Sequence, residues 1–397
     1  KSTFSNVLAG KEEYNIIAEK VVGHFQNNTT DQTKAILTIP TSDYTDKDRW
    51  KKEIDEIFLK LPLMLSLAIE IPNPGDYKAL EIVGIPVLIT RDKESNVHAF
   101  RNVCSHRGSL LTKEEIGNKN NFTCPYHGWT YSNKGDLIGI TDNEKFGNLD
   151  KSCRGLQELP CQELGGMIFV ILTPNLDLNL DEFLGGMKSE IEHFDFKNWY
   201  YHGFKVIHGA NWKVAYDGYL EGYHFSTAHK DTILDMTMQD IMDFSAFGPH
   251  LRIAFASTSI GELLDLPKKE WWTREGQGVD FVRTLFPNVS MALGLGIGQI
   301  AQIFPGKTPE TNTTVLHYLA PEAPKNKEET TELDNYMNFL RDVVNDEDYA
   351  LGLEIQKGLD SHSKNEVIFG KNERGNQFFH KYVDYLIDEK IKKPPVL

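Results

Sequence analysis

Residues 104–129 read CSHRGSLLTKEEIGNKNNFTCPYHGW, so one short loop supplies Cys104 and His106 and a second supplies Cys124 and His127. Two thiolates and two imidazoles make a complete four-ligand metal set. Zinc accepts such a set, and a zinc-stabilised binding module is one reading of it. In zinc fingers, however, the cysteines pair in one turn and the histidines in another, whereas each loop here gives one of each. That arrangement suits a two-iron cluster in which one iron takes both cysteines and the other both histidines. Neutral imidazoles leave more positive charge on such a cluster than thiolates do, which raises its reduction potential. Gly108 and Gly128 follow the ligand segments. There the missing side chain either lets backbone N–H groups approach the bridging sulfurs or serves a turn. Pro125 stiffens the second loop.

Around these loops lie short runs rich in β-branched and aromatic residues, YKALEIV (77–83), IPVLITR (85–91) and NVHAFRN (96–102), separated by turn residues. They predict antiparallel strands, and GMIFVILT (166–173) predicts one more. Upstream, DKDRWKKEIDEIFLK (46–60) spaces Trp50, Ile54, Ile57 and Phe58 as an amphipathic helix. Downstream, 176–194 and 217–229 read as helical, LRIAFAS (251–257), VSMALGLG (289–296) and TTVLHYLA (313–320) as strands, and the last seventy residues as mostly helical. No βαβ repeat and no glycine-rich dinucleotide fingerprint occurs, so the fold class is α+β.

The chain has 397 residues, enough for two cores. Its balance of 40% hydrophobic and 25% charged residues is that of a globular protein, without a membrane-length apolar run or a signal-peptide core near Lys1. A cytoplasmic location is expected. The net charge of −15 argues against nucleic acid, which needs clustered Lys and Arg. Cys153 and Cys161 lie outside the metal set and are expected as free, partly buried thiols.

A second constellation follows Asn211-Trp212-Lys213, where Glu221, His224 and His229 fall within nine residues. Two histidines and a carboxylate can hold Fe(II) while leaving positions open for oxygen. On a regular helix, positions five apart are rotated by about 140°, so a break or π-bulge is expected around Ser226 to Ala228.

These residues carry a resemblance. CSHRG and CPYHGW look like the Rieske motifs of the ring-hydroxylating oxygenase family, and NWK followed by E-x-x-H-x-x-x-x-H resembles the catalytic signature of its α subunits. Respiratory Rieske proteins have an extra cysteine in each loop, where this chain has Ser109 and Tyr126. The resemblance implies a [2Fe–2S] cluster on Cys104, His106, Cys124 and His127, and a mononuclear Fe(II) on His224, His229 and a late aspartate. We align that aspartate to Asp348, with Asp346 and Glu347 as adjacent competitors. Glu221 stands where many members have the aspartate that bridges one subunit's Rieske histidine to a neighbour's iron-binding histidine; some members acting on quaternary amines resemble this chain in having glutamate there. Asn211 and Glu221 are the candidate catalytic residues.

The implied architecture is an N-terminal segment (1–44), a small all-β Rieske domain (45–165) and a larger helix-grip, START-like catalytic domain (166–397) with an antiparallel sheet and helices. The implied activity is mono- or dioxygenation. Electrons from NAD(P)H would pass through a ferredoxin or flavin reductase, and O2 would hydroxylate or oxidatively dealkylate a small aromatic compound or quaternary amine. A homotrimer, with or without a β subunit, is also implied. The rival reading is a Rieske electron carrier without oxygenase activity.

Overall fold

The computed structural model describes residues 10–397 except 148, 275, 276, 295 and 296. The first nine residues of the expected N-terminal segment and the end of the run 289–296 therefore lie outside the described residues. The chain divides into two compact units, one comprising Phe58–Leu180 with Asp195–Asn198, the other comprising the rest.

The smaller unit is built of three antiparallel sheets. Five strands run in the order Glu158–Leu159, Val97–Arg101, Ile85–Arg91, Asp76–Ile82 and Ile116–Asn118. Tyr77 and Ala79 point inward at alternate positions along one of them, as a half-buried strand requires. Its hairpin partner begins after the two-residue turn Val83-Gly84, both at positive φ (47° and 82°), the geometry whose twist matches that of the flanking strands. A second sheet of three short strands, Asn121–Thr123, Thr130–Ser132 and Leu137–Gly139, carries the second metal-set loop between its first two strands. Cys104, Cys124, Phe122, Trp129 and Tyr131 share one buried cluster with Tyr77, Leu88 and Phe100.

The domain boundaries expected at 45 and 165 both move. Met167–Val170 pairs on one edge with Cys161–Leu164 and on the other with Leu63–Leu67, so it is the central strand of the third sheet of the smaller unit. The amphipathic segment, Lys47–Glu53 continued by a π-turn at Ile54–Phe58, belongs up to Ile57 to the larger unit, where the indole N–H of Trp212 donates to Glu53 (2.9 Å).

The larger unit contains a seven-stranded antiparallel sheet. Its strand order is Tyr200–Gly209, Asn312–Ala320, Ile297–Pro305, Val289–Gly294, Val279–Leu285, His250–Ser257 and Thr237–Phe247. Leu333, Tyr336, Met337 and Leu340 of the helix Lys327–Asp342 pack with Val344 and Tyr349 against Ile207, Ile297, Leu316 and Tyr318 of the sheet. An antiparallel sheet with helices packed on it is what the resemblance implies for the catalytic domain. One group of charges buried within it is paired: Glu190 binds both Arg252 and Arg283, and all three side chains are almost wholly sequestered. Among the described residues no helix is long and apolar enough to cross a membrane.

The run 217–229 is not one helix. A short helix, Trp212–Asp217, ends at Gly218, and a separate single turn, Phe225–Ala228, begins after His224. Glu221 lies at the break: its carboxylate accepts the backbone N–H of Tyr223 and of His224 (3.2 Å), the two residues that lead into the new turn. Gly222 sits where a Cβ would meet the rings of Phe225 and Phe255 at 3.0 and 3.1 Å.

Candidate metal centres

The two loops of the smaller unit are near copies in backbone terms. The N–H of Cys104 donates to Ser109 O (2.8 Å) and that of Gly108 to Cys104 O (3.0 Å); likewise Cys124 donates to Trp129 O (2.7 Å) and Gly128 to Cys124 O (3.0 Å). Gly108 and Gly128 have φ of 85° and 74°, so they are turn glycines whose amides close the loops, not donors aimed at sulfur. The thiols of Cys104 and Cys124 are buried together, and the rings of His106 and His127 lie 4.7 Å apart, centre to centre. His106 stacks on Trp129 at 4.8 Å, and its Nδ1 is buried without a hydrogen-bond partner. A buried, orphaned ring nitrogen is what a metal bond would satisfy. The Tyr131 hydroxyl lies 3.3 Å from Cys104 Sγ, placed to donate to a ligating sulfur. Cys153 is exposed rather than partly buried, and Cys161 is partly buried; both are free.

In the larger unit the nitrogens Nε2 of His224 and His229 approach to 3.1 Å, and Oδ1 of Asp348 lies 3.5 and 2.9 Å from them. Among the described residues this is the one group of three or more such side chains whose ligand atoms converge at single-ion range.

Each imidazole turns its other nitrogen to a carboxylate. His224 Nδ1 lies 2.5 Å from Glu221 Oε1, and His229 Nδ1 is hydrogen-bonded to Glu347 Oε2, which also accepts the Thr232 hydroxyl (2.8 Å). Burial pulls the His224 pKa down, but the carboxylates of Asp348 and Glu221 more than offset this and push it up to about 10. Three carboxylates around two imidazoles make a pocket of negative charge that a divalent cation fits. The expected irregularity is displaced. The turn Phe225–Ala228 is ordinary, with His224 and His229 at its two ends, and the π-helix occurs instead at Val343–Tyr349, the segment that presents Asp348. Asp346 is exposed and bonds its neighbour Asn345. Asn211 does not enter the cluster. It caps the helix Trp212–Asp217, accepting the Lys213 N–H (2.8 Å) and donating to Tyr44 O (3.0 Å) and Pro309 O (2.7 Å).

Two family models match the chain: a Rieske [2Fe–2S] domain over residues 62–160 and the catalytic domain of the ring-hydroxylating α subunit over residues 196–389. The chain belongs to the Rieske oxygenase α-subunit family. Members of this family carry a [2Fe–2S] cluster and a mononuclear iron, and they are mono- and dioxygenases. This Rieske oxygenase chain is 29% identical over 331 residues to the carnitine monooxygenase oxygenase subunit of Escherichia coli K12, covering 82% of this chain and 84% of that protein. It is 32% identical over 199 residues to the anthranilate 1,2-dioxygenase large subunit of Acinetobacter baylyi, covering 47% and 41%. Among solved structures, a quaternary ammonium Rieske monooxygenase in complex with L-carnitine superposes with a TM-score of 0.75 at 21% identity, over 94% of this chain and 99% of the other.

In this Rieske oxygenase chain Glu221, His224 and Asp348 line two hollows. One, of about 290 Å³, also takes in Tyr44, Asp217, Leu351 and Ile355. The other, of about 210 Å³, is walled by Tyr219, Phe225, Phe255, Asp280, Phe281 and Leu293, and His229 opens only on this side. Glu347, Thr232 and Asp280 were not distinguished by sequence reasoning. For Glu347 the one signal is its place in the acidic run 346–348.

Proposed function

We propose that the chain is the oxygenase component of a system that oxidises a small quaternary amine, using electrons from a separate NAD(P)H-dependent reductase or ferredoxin. Cys104, His106, Cys124 and His127 hold the [2Fe–2S] cluster, and His224, His229 and Asp348 hold the mononuclear Fe(II). The observation that carries this reading is the convergence of two imidazoles and one carboxylate at the wall of an aromatic hollow. Three protein ligands leave open positions on the metal, and the hollow gives a substrate a place beside them. When bound, the iron supplies the site at which O2 is reduced; the balance is one substrate C–H, O2, two electrons and two protons to one C–OH and water.

The chain's own groups do the rest. Glu221 holds His224 by Nδ1, so that Nε2 carries the lone pair toward the metal, and Glu347 does the same for His229. The aromatic walls exclude water and position the substrate. Glu221 lines the second hollow as well and so connects the ligand His224 with that face. Electron entry there from the cluster of a neighbouring copy in a homotrimer is the reading this supports. The quaternary amine is preferred over an aromatic substrate because of Glu221 and because the relative matched over most of both chains is a carnitine monooxygenase.

The test is reconstitution of the loaded protein with a reductase and NADH, scoring substrate-dependent oxygen uptake and formaldehyde release for choline, glycine betaine, carnitine and anthranilate. Uptake with a trimethylammonium compound is expected, and response to anthranilate alone overturns the substrate class. With Fe(II) supplied in enough excess to keep the mononuclear site filled, Glu221→Ala is expected to retain the cluster while reductase-driven turnover falls about 10–100-fold; unchanged turnover removes Glu221 from the electron route.

A separate expectation concerns Glu347. Replacing it by Ala frees His229 to rotate and change tautomer, and the affinity for Fe(II), measured by titration of apoprotein, is expected to fall about 10–100-fold. Asp346→Ala, at an exposed neighbour, leaves it unchanged. Equal loss in both variants shows that general negative charge, not orientation of His229, is what matters.

A further inference from the structure

Buried carboxylates in the larger unit are generally matched by a partner: Glu190 by two arginines, Glu53 by Lys213 and Arg49, and Asp217 by His380 and Tyr44. Asp280 is different. It lies on the strand Val279–Leu285, opposite Phe255, and its side chain lines the 210 Å³ hollow that contains the iron-binding group. Among the described residues it makes no hydrogen bond and no ion pair, and burial alone pushes its carboxyl up to about 7. A second acceptor in the same wall is also unused, since Oε1 of Gln299 is buried without a partner. Phe225 and Phe255 stack at 5.6 Å beside them, and Tyr219 and Phe281 complete the aromatic wall. No Lys or Arg is among the described residues of that wall.

Such a wall is complementary to one kind of ligand. Aromatic faces attract a poorly hydrated organic cation, and a desolvated carboxylate without a counterion attracts it more strongly. The carbonyl of Gln299 asks for a hydroxyl or N–H donor. An anionic substrate finds no Lys or Arg in this wall and meets the Asp280 carboxylate instead.

We propose that Asp280 is the cation anchor of the substrate hollow, that Gln299 receives a hydrogen-bond donor of the same ligand, and that the hollow thereby selects a small organic ammonium over an anionic aromatic. The proposal rests on the quaternary-amine reading and sharpens it by naming the residue that recognises the charge. Asp280 touches the substrate and not the metal, so its loss acts on binding of charge and leaves the iron in place.

The experiment compares choline with 3,3-dimethylbutan-1-ol, which has the same shape and hydroxyl but carbon in place of the charged nitrogen, and with benzoate. Binding to the metal-loaded protein is measured calorimetrically for wild type and for the isosteric Asp280→Asn, with the visible spectrum and the mononuclear iron content checking that both proteins are intact. Wild type is expected to bind choline on the order of 30-fold more tightly than the neutral isostere and to bind benzoate weakly; Asp280→Asn is expected to erase the preference. No preference in wild type, or a preference that survives Asp280→Asn, overturns the anchor. If the variant keeps the preference while wild type turns over a trimethylammonium compound, the anchor alone falls. If wild type binds and oxidises the anionic aromatic instead, the amine reading falls with it.

Discussion

His229→Ala is expected to lower turnover roughly a thousandfold or more and to leave little mononuclear iron bound, while the visible spectrum of the cluster stays that of the parent. The size of the effect follows from how completely the side chain is committed. His229 is 3% exposed, its Nε2 lies 2.9 Å from Asp348 and 3.1 Å from His224, and its Nδ1 is held by Glu347. Alanine removes one of the three side chains proposed to hold the iron and takes the imidazole away from the half-buried Glu347 carboxylate. No other imidazole is among the described residues lining either hollow, apart from His224, so nothing takes its place. The cluster residues sit in a different compact unit with its own buried core, which is why their spectrum should not respond. Iron analysis together with visible absorption checks both halves of the statement. Loss of the cluster spectrum alongside the iron would show that His229 supports the smaller unit and that the division of labour is wrong.

How much of this was legible beforehand differed with the length scale of the cause. The Rieske loops could be read because their chemistry is local: four ligand residues and two turn glycines lie in two stretches of five or six residues, and a turn needs no distant contact to form. His224 and His229 were also visible, but the argument from helical rotation assumed a helix running through both. The carboxylate of Glu221, bonded to the Tyr223 and His224 amides, and the tight packing of Gly222 redirect the chain just before His224, and a single turn then delivers both rings to one point. The π-helix at Val343–Tyr349 was not legible, because its register is fixed from outside. The Tyr349 hydroxyl bonds Thr314 at 2.6 Å and faces that of Tyr219 at 3.3 Å, contacts that join the helix to the sheet and to the loop before Glu221. Within Asp346-Glu347-Asp348, composition cannot sort a ligand from its neighbours. The fold gives the three acids different places, turning Asp348 to both imidazoles, Glu347 to the back of one of them and Asp346 to solvent. Asp280 gave no signal at all, since a single acid in a strand reads as its exposed face until the opposing wall of the hollow is known.

Lys213→Met is expected to destabilise the larger unit by about 3–5 kcal/mol, the cost of leaving a buried carboxylate without its cation. Lys213 and Glu53 are both fully buried and form a direct ion pair, and the same ammonium donates to Asp43 O. Burial lowers the Lys213 pKa, and the Glu53 carboxylate opposes that shift. Arg49 Nε at 3.3 Å and the Trp212 N–H at 2.9 Å also reach Glu53, which places the expected cost toward the lower end of the range. The effect is read from chemical unfolding followed by tryptophan fluorescence, with the cluster's visible band as a separate probe, because two compact units need not unfold as one. The decisive comparison is the double variant Glu53→Met/Lys213→Met. If the pair is a matched charge in an otherwise apolar place, removing both partners recovers most of the loss; if the double variant is no better than the single, the packing of the lysine stem and not its charge is what the site needs. The outcome bears on catalysis through geometry. Asn211, Trp212 and Lys213 fasten the helix Trp212–Asp217 to Tyr44, Glu53 and Asp43, and Asp217 at its end is held by His380 at 2.9 Å and Tyr44 at 2.6 Å. Only four residues further on stands Glu221, whose carboxylate sets the rotation of the His224 ring. The Asn-Trp-Lys motif therefore works as the mount on which one side of the iron site is held, and it accompanies the ligand histidines in sequence because a ligand is only as well placed as the helix that leads to it.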